Sequence, residues 1–204
     1  MYKAIIFDLG NVLISISYPR ILEYWSQISG KQFTDIPKYK KIIDEEELLL
    51  EVGRITPAEF RKRVAFKTGM QIADSEFDKG WNRIFVGLNP GIEEVLTRLR
   101  PLYRLVCLTN TNFIHTLEWQ KEYSQITGYF EKIFCSHEIG CRKPEPEAFQ
   151  TVLDYLKLSP AEVIFIDDNE ANIAGAAKMG ITAVLMKSVS QLFNDLKELG
   201  IQVA

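Results

Sequence analysis

The apolar positions of the chain gather into five short runs: Lys3–Phe7, Arg104–Leu108, Lys132–Cys135, Val163–Ile166 and Thr182–Met186. Each is rich in Ile, Val, Phe or Leu and shows no polar alternation. Runs of this kind predict strands buried on both faces of a parallel sheet. The segments between them carry helical spacing instead. Phe149, Val152, Leu153 and Leu156 recur at i, i+3, i+4 and i+7, with Pro146 suited to the first helical position. Asn169 is placed to cap a helix over Ala171–Met179 that Gly180 ends, and Gln191–Leu199 ends in the same way at Gly200. From Leu102 onward, alternating strands and helices predict right-handed βαβ units in a three-layer α/β domain with a Rossmann-like parallel sheet.

Between about Ile16 and about Asn89 this rhythm stops. The interval offers no convincing buried strand. Asp44–Leu50 reads as helix and stops near Gly53, with the acidic run Asp44–Glu47 as its solvated, dipole-favoured start. Thr56-Pro57-Ala58-Glu59 is a capping box with proline at the first helical position. Phe60, Val64 and Phe66 then supply an apolar face. The expected organisation is a catalytic core formed by residues 1–15 and 90–204, with a small helical cap, residues 16–89, inserted after the first strand.

Composition narrows the function classes. The chain has 204 residues, 47% hydrophobic and 25% charged, which excludes disorder and collagen. A formal net charge of −3 argues against a nucleic-acid binder. No apolar run approaches the roughly 20 residues that span a bilayer, and the N-terminal run is too short for a signal peptide. Cys107, Cys135 and Cys141 fit neither a closed disulfide framework nor a zinc pattern. A reduced, cytoplasmic protein is expected, a monomer or weak homodimer with no nucleic-acid or membrane partner.

The polar residues of interest follow the apolar runs. The first run ends in Asp8-Leu9-Gly10-Asn11, the second in Thr109-Asn110 and the fourth in Asp167-Asp168-Asn169. Ligands of open α/β sheets bind beyond these strand ends. Taken singly, Asp8 could begin a turn, Thr109-Asn110 could cap a helix, and Lys143 could be a surface lysine. Asp167-Asp168 is harder to dismiss, because adjacent carboxylates after a buried strand repel unless a cation or donors sit nearby. Together the set suits phosphoryl chemistry. A carboxylate can act as nucleophile, a hydroxyl and main-chain amides can hold phosphate oxygens, a lysine can offset charge, and acidic oxygens can hold Mg²⁺. His115 and His137 lie at no catalytic spacing.

The ordered series Phe7-Asp8-Leu9-Gly10-Asn11-Val12-Leu13, Leu108-Thr109-Asn110, Lys143-Pro144 and Asp167-Asp168-Asn169-Glu170-Ala171-Asn172 resembles the four motifs of the haloacid dehalogenase superfamily. The helical insert matches the cap position of its subfamily I. Gly80-Trp81, Leu108–Asn112 and Gly140–Pro144 further resemble the bacterial α-D-glucose-1-phosphate phosphatase branch. The resemblance implies a Mg²⁺-dependent phosphomonoesterase acting through an aspartyl-phosphate on a small phosphorylated metabolite. Asp8 is then the nucleophile and a metal ligand, and the Gly10 carbonyl and Asp168 are the other ligands. Thr109, Asn110 and Lys143 are implied to bind substrate, with Lys143 also catalytic. Asp167 and Asn172 are implied to orient the lysine and the metal's waters.

One position departs from the family. Its phosphatases usually carry a second Asp two residues after the nucleophile, acting as general acid and then base; here Gly10 stands there. That glycine keeps two other readings open: a metal-independent C–halogen hydrolase using Asp8 on carbon, and a catalytically weakened phosphate-binding protein. A backbone requiring positive φ is another reason for glycine at this position. Without an acid at position 10, good leaving groups suffer least, so a sugar 1-phosphate such as glucose 1-phosphate is expected to outrun the matching 6-phosphate. Arg54, Trp81 and Asn82 are candidate cap contacts, set against a surface arginine and a packed tryptophan; Trp25 and Trp119 read as core or rim.

Overall fold

The computed structural model describes residues 1–203. Strands β1 (Ala4–Phe7) and β2 (Ile14–Ile16) precede helices α1 (Pro19–Ser29), α2 (Ile36–Glu51), α3 (Pro57–Thr68) and α4 (Asp74–Trp81). Strand β3 (Phe85–Leu88), α5 (Ile92–Leu99), β4 (Arg104–Thr109), α6 (Phe113–Glu122), α7 (Ser124–Thr127), β5 (Lys132–Cys135), α8 (Ser136–Ile139) and α9 (Pro146–Leu156) follow. The chain closes with β6 (Val163–Asp167), α10 (Glu170–Lys178), β7 (Thr182–Leu185) and α11 (Val189–Glu198).

All five expected strands form, in one parallel sheet ordered β5-β4-β1-β6-β7. Burial on both faces explains their unbroken apolar character. Ile5, Phe7, Leu105, Cys107, Ile164 and Ile166 face α5, Trp119 and α11, while Ala4, Ile6, Val106, Leu108 and Phe165 face α9 and α10. The expected caps also form: the Asn169 side chain accepts from Ala171 N, and Gly180 and Gly200 take positive φ beyond α10 and α11. Among the described residues no helix is long and apolar enough to cross a membrane.

The insert between β2 and β3 has an apolar cluster of its own, including Ile21, Leu22, Trp25, Ile43, Leu50, Phe60, Val64, Phe77 and Trp81. Trp25 stacks on Trp81 at 6.1 Å and packs on Phe77 at 4.6 Å. The close approach requires Gly80, because a Cβ there collides with the Trp25 indole. Core helix α6 completes the cluster: Ile114 belongs to it, and His115 stacks on Trp81 at 4.8 Å with Nε2 3.3 Å from the Trp81 carbonyl. Burial pushes the His115 imidazole down to about 3, so it stays neutral.

Three expectations for the insert need correcting. β2 and β3 form a short antiparallel pair, missed because β3 is half exposed and carries no apolar run. Helix α2 starts at Ile36, capped by Asp35, so Asp44–Glu47 lies inside it rather than at its start. Phe66 is 87% exposed, because two residues after Val64 a helix has turned to its far side. Trp81, by contrast, follows the packed reading and is fully buried in the insert's own cluster.

Candidate active site

The sheet order puts β1 at the centre, flanked by β4 and β6, so the polar residues ending these strands converge on the crevice at the topological switch point. Asp8 directly follows β1, while Thr109 ends β4 and Asp167 ends β6. Lys143 reaches them from the loop before α9. Its Nζ lies 2.6 Å from Asp8 Oδ1 and 2.7 Å from Asp167 Oδ2, and the side chain is 1% exposed. The loop can sit this deep because Gly175 of α10 has no Cβ; one built there would lie 2.8 Å from the Pro144 carbonyl oxygen.

Asp167 is fully committed within the protein. Besides Lys143, it accepts from Asn169 N at 2.8 Å and from Asn172 Nδ2 at 3.0 and 3.1 Å. It therefore fixes the lysine. Asn110 is committed as well: its amide donates to the Lys143 carbonyl and accepts from Lys143 N, each at 2.9 Å. Its side chain thus braces the lysine loop, which leaves its main chain to meet a ligand. The helix-capping role goes to Asn112, whose side chain accepts from His115 N. Thr109 is 2% exposed, and its hydroxyl has no hydrogen-bond partner among the described residues.

Ligand oxygens of Asp8, Asp167 and Asp168 lie within 4.8 Å of one another. With Asp167 spoken for, Asp8 and Asp168 remain. Asp8 and Asp167 share one lysine, and burial lifts the Asp8 carboxyl to about 7 against the pull of Lys143, Asp167 adding to the rise. The turn after β1 adds a further donor: Leu9 O takes the N–H groups of Leu13 and Ile14, while the Gly10 carbonyl accepts none of the turn's hydrogen bonds. An all-oxygen, net-negative donor set fits a hard divalent cation and no soft one.

Gly10 does not adopt positive φ; that conformation falls to Asn11, at 53°. A Cβ at position 10 would meet only Ile16 Cδ1, at 3.5 Å. The backbone therefore does not demand glycine there.

Sequence reasoning missed three connections. Asn11 Nδ2 donates to Asp168 Oδ2 at 2.9 Å, and Asn89, just after β3, donates to the Asn11 carbonyl at 2.6 Å. The only sequence hint is a Gly-Asn turn. The third is a clasp between insert and core, Arg142 Nε to Glu51 Oε2 at 2.9 Å. Of the other candidate contacts, Arg54 is exposed beyond α2, and Asn82 lines a separate cleft among α1, α4 and α6. Trp25 and Trp119 are core.

Comparison with known proteins agrees with this geometry. Residues 2–180 match the model of the haloacid dehalogenase-like hydrolases. The chain is similar to the D-ribitol-5-phosphate phosphatase of Bacteroides thetaiotaomicron, 27% identical over 88% of this chain and 89% of that one. It is 33% identical to the glyceraldehyde 3-phosphate phosphatase of Pyrococcus abyssi, over 92% of this chain and 82% of that one. A solved HAD-family enzyme from B. thetaiotaomicron, in complex with magnesium and inorganic phosphate, superimposes with a TM-score of 0.83 at 34% identity, covering 95% of this chain and 100% of that one. With an aspartate following its central strand, a buried lysine and paired aspartates in family order, the chain belongs to the haloacid dehalogenase-like hydrolases.

Proposed function

We propose that the protein is a Mg²⁺-dependent phosphomonoesterase that forms an aspartyl-phosphate on Asp8. The observation carrying this is the Lys143 ammonium held between Asp8 and Asp167, beside an unpartnered Thr109 hydroxyl. In this reading Asp8 attacks the phosphorus. The Thr109 hydroxyl, the Asn110 main chain and Lys143 hold the non-bridging oxygens. Asp167, itself held by Asn172, keeps the ammonium in place. Held by Asp8, the Gly10 carbonyl and Asp168, Mg²⁺ supplies the positive charge that lets a carboxylate approach a phosphate dianion. The phosphatase relatives and the magnesium- and phosphate-bound neighbour support phosphate over halide as the leaving chemistry.

The substrate class is a phosphorylated carbohydrate or polyol, as in those relatives. Within it, glucose 1-phosphate is preferred over glucose 6-phosphate, because an anomeric oxygen leaves more readily than a primary one and position 10 supplies no acid. The enzyme works as a monomer or weak homodimer. Its free cysteines suit the cytoplasm.

The test is phosphate release from a panel of sugar and polyol phosphates, with Mg²⁺ and with EDTA, for the wild type and Asp8→Asn. Release that needs Mg²⁺ and vanishes in Asp8→Asn is expected. Undiminished release in EDTA, or from Asp8→Asn, overturns the reading. Equal kcat/KM for glucose 1-phosphate and glucose 6-phosphate overturns the finer preference alone.

A further inference from the structure

Charge alone does not choose a cation, because a net-negative cluster of oxygens attracts Ca²⁺ as well as Mg²⁺. The two ions differ in how they use a carboxylate. Ca²⁺ gathers about 6–8 oxygens at about 2.3–2.6 Å and accepts both oxygens of one carboxylate. Mg²⁺ demands near-octahedral geometry at about 2.0–2.1 Å and takes a single oxygen from each carboxylate. The hydrogen bonds around the aspartates decide which habit is possible. Asp167 has both oxygens occupied, Oδ2 by Lys143 and Asn172, and Oδ1 by Asn169 N and Asn172. On Asp8, Lys143 Nζ takes Oδ1 at 2.6 Å. On Asp168, Asn11 Nδ2 takes Oδ2 at 2.9 Å. Among the described residues no other side chain holds Asp8 or Asp168, so each of these two carboxylates keeps one oxygen free of side-chain donors.

Asn11 is held in place for this contact. Its φ of 53° lies in the left-handed region, which Asn tolerates better than most side chains. Its carbonyl accepts from Asn89 Nδ2 at 2.6 Å, its N–H donates to the Ile14 carbonyl at 2.7 Å, and its Oδ1 accepts from Ile16 N at 3.2 Å. Asn89 is anchored in turn by the Ser15 hydroxyl on its Oδ1. An amide has one acceptor end and one donor end, so the Ile16 N–H on Oδ1 fixes its orientation and aims Nδ2 at Asp168. The two strands that lead into and out of the insert thus direct a donor at one oxygen of Asp168.

We propose that Asn11 is a positioning residue of the metal site. By occupying Oδ2 it confines Asp168 to a single metal contact, and with Lys143 doing the same on Asp8 the site takes Mg²⁺ in preference to Ca²⁺. The proposal rests on the phosphatase reading, in which Asp8, the Gly10 carbonyl and Asp168 hold the ion. Asn11 acts through Asp168, as the hydrogen-bond partners of ligating carboxylates do.

Calorimetric titration of the full chain, stripped of metal, measures Kd for Mg²⁺ and for Ca²⁺ without turnover, in the wild type, Asn11→Gly and Asn11→Asp. Glycine keeps the positive φ and removes the amide. Aspartate keeps the acceptor for Ile16 N and removes the donor. The wild type should bind Mg²⁺ the more tightly. In both variants the ratio of the Ca²⁺ Kd to the Mg²⁺ Kd should fall by about tenfold or more, with Ca²⁺ binding held or tightened. Circular dichroism in EDTA checks that the variants are folded. A wild type that binds the two ions equally, or a folded variant with an unchanged ratio, overturns the assignment. Equal weakening of both ions, which a merely structural role would give, does so as well. Absence of phosphate release from every substrate, with the two ratios as expected, overturns the phosphatase reading and leaves the role of Asn11 standing.

Discussion

Replacing Lys143 by methionine removes a charge while keeping an unbranched, apolar stem of similar length. Its Nζ lies 2.6 and 2.7 Å from two carboxylates in a site where it is 1% exposed. At an effective dielectric constant of about 20, each contact is worth roughly 6 kcal/mol before desolvation. Desolvation offsets most of that gross attraction, yet removing one partner of a buried pair still costs about 3–5 kcal/mol, because the other charge is left buried. That is a large share of the roughly 5–15 kcal/mol that holds a domain folded. The loss should depend on pH. In the metal-free wild type Asp8 ionises at about 7, so its attraction to Lys143 is present above that value and lost as the pH falls through it. Without the lysine the Asp8 pKa rises further. The stability gap should therefore widen from pH 5.5 to pH 8. Urea unfolding in EDTA at both values measures it, and added Mg²⁺ should recover part of the loss by supplying the missing positive charge. A gap below about 1 kcal/mol at pH 8, or one equal at both pH values, would show that the lysine is not paired as described.

Two further outcomes follow from geometry. Gly10→Asp should fold with little penalty, since φ is ordinary and the nearest atom to a Cβ is 3.5 Å away, and it should raise kcat/KM for glucose 6-phosphate at least about tenfold; no gain in a folded variant would mean that position 10 cannot deliver a proton. Lys3 and the Ser159 turn hold the Glu162 carboxyl down at about 2, so it adds stability above its usual 4.5 that is lost as the pH falls toward 2; Glu162→Gln should flatten Tm against pH in that window, and parallel curves would contradict the pairing.

The elements that sequence makes legible are those whose burial is uniform. β1, β4, β5, β6 and β7 are apolar on both faces, so composition alone reveals them, and their carboxyl ends point to Asp8, Thr109 and Asp167. β2 and β3 are partly solvated and owe their pairing to residues more than sixty positions apart, which no local pattern records. Asp44–Glu47 misleads for a related reason. A charged run usually marks a solvated face, whereas here Glu46 is 5% exposed and tied to Lys67 at 2.7 Å, and Glu47 is half-buried. Asn110 shows the same limit: its residue type suggests a ligand contact, but only the fold reveals that its amide is taken by the main chain of Lys143.

The pairing of β2 with β3 also bears on how such proteins diversify. Ile14 stands opposite Leu88, so the chain leaves the core and returns to it one strand spacing apart, about 5 Å. Everything between those points can be exchanged for another lid, or shortened to a tight turn, without moving the five strands that carry Asp8, Thr109 and Asp167. The natural seams for such a chimera are Ser17 and Ile84, outside the paired strands, so that Asn89 keeps its hold on the turn after Asp8. A replacement lid must still cover Ile114 and His115, the two core residues that now lie against Trp81 and its neighbours. Selection can thus rewrite the substrate a chain accepts while the chemistry at the sheet stays fixed.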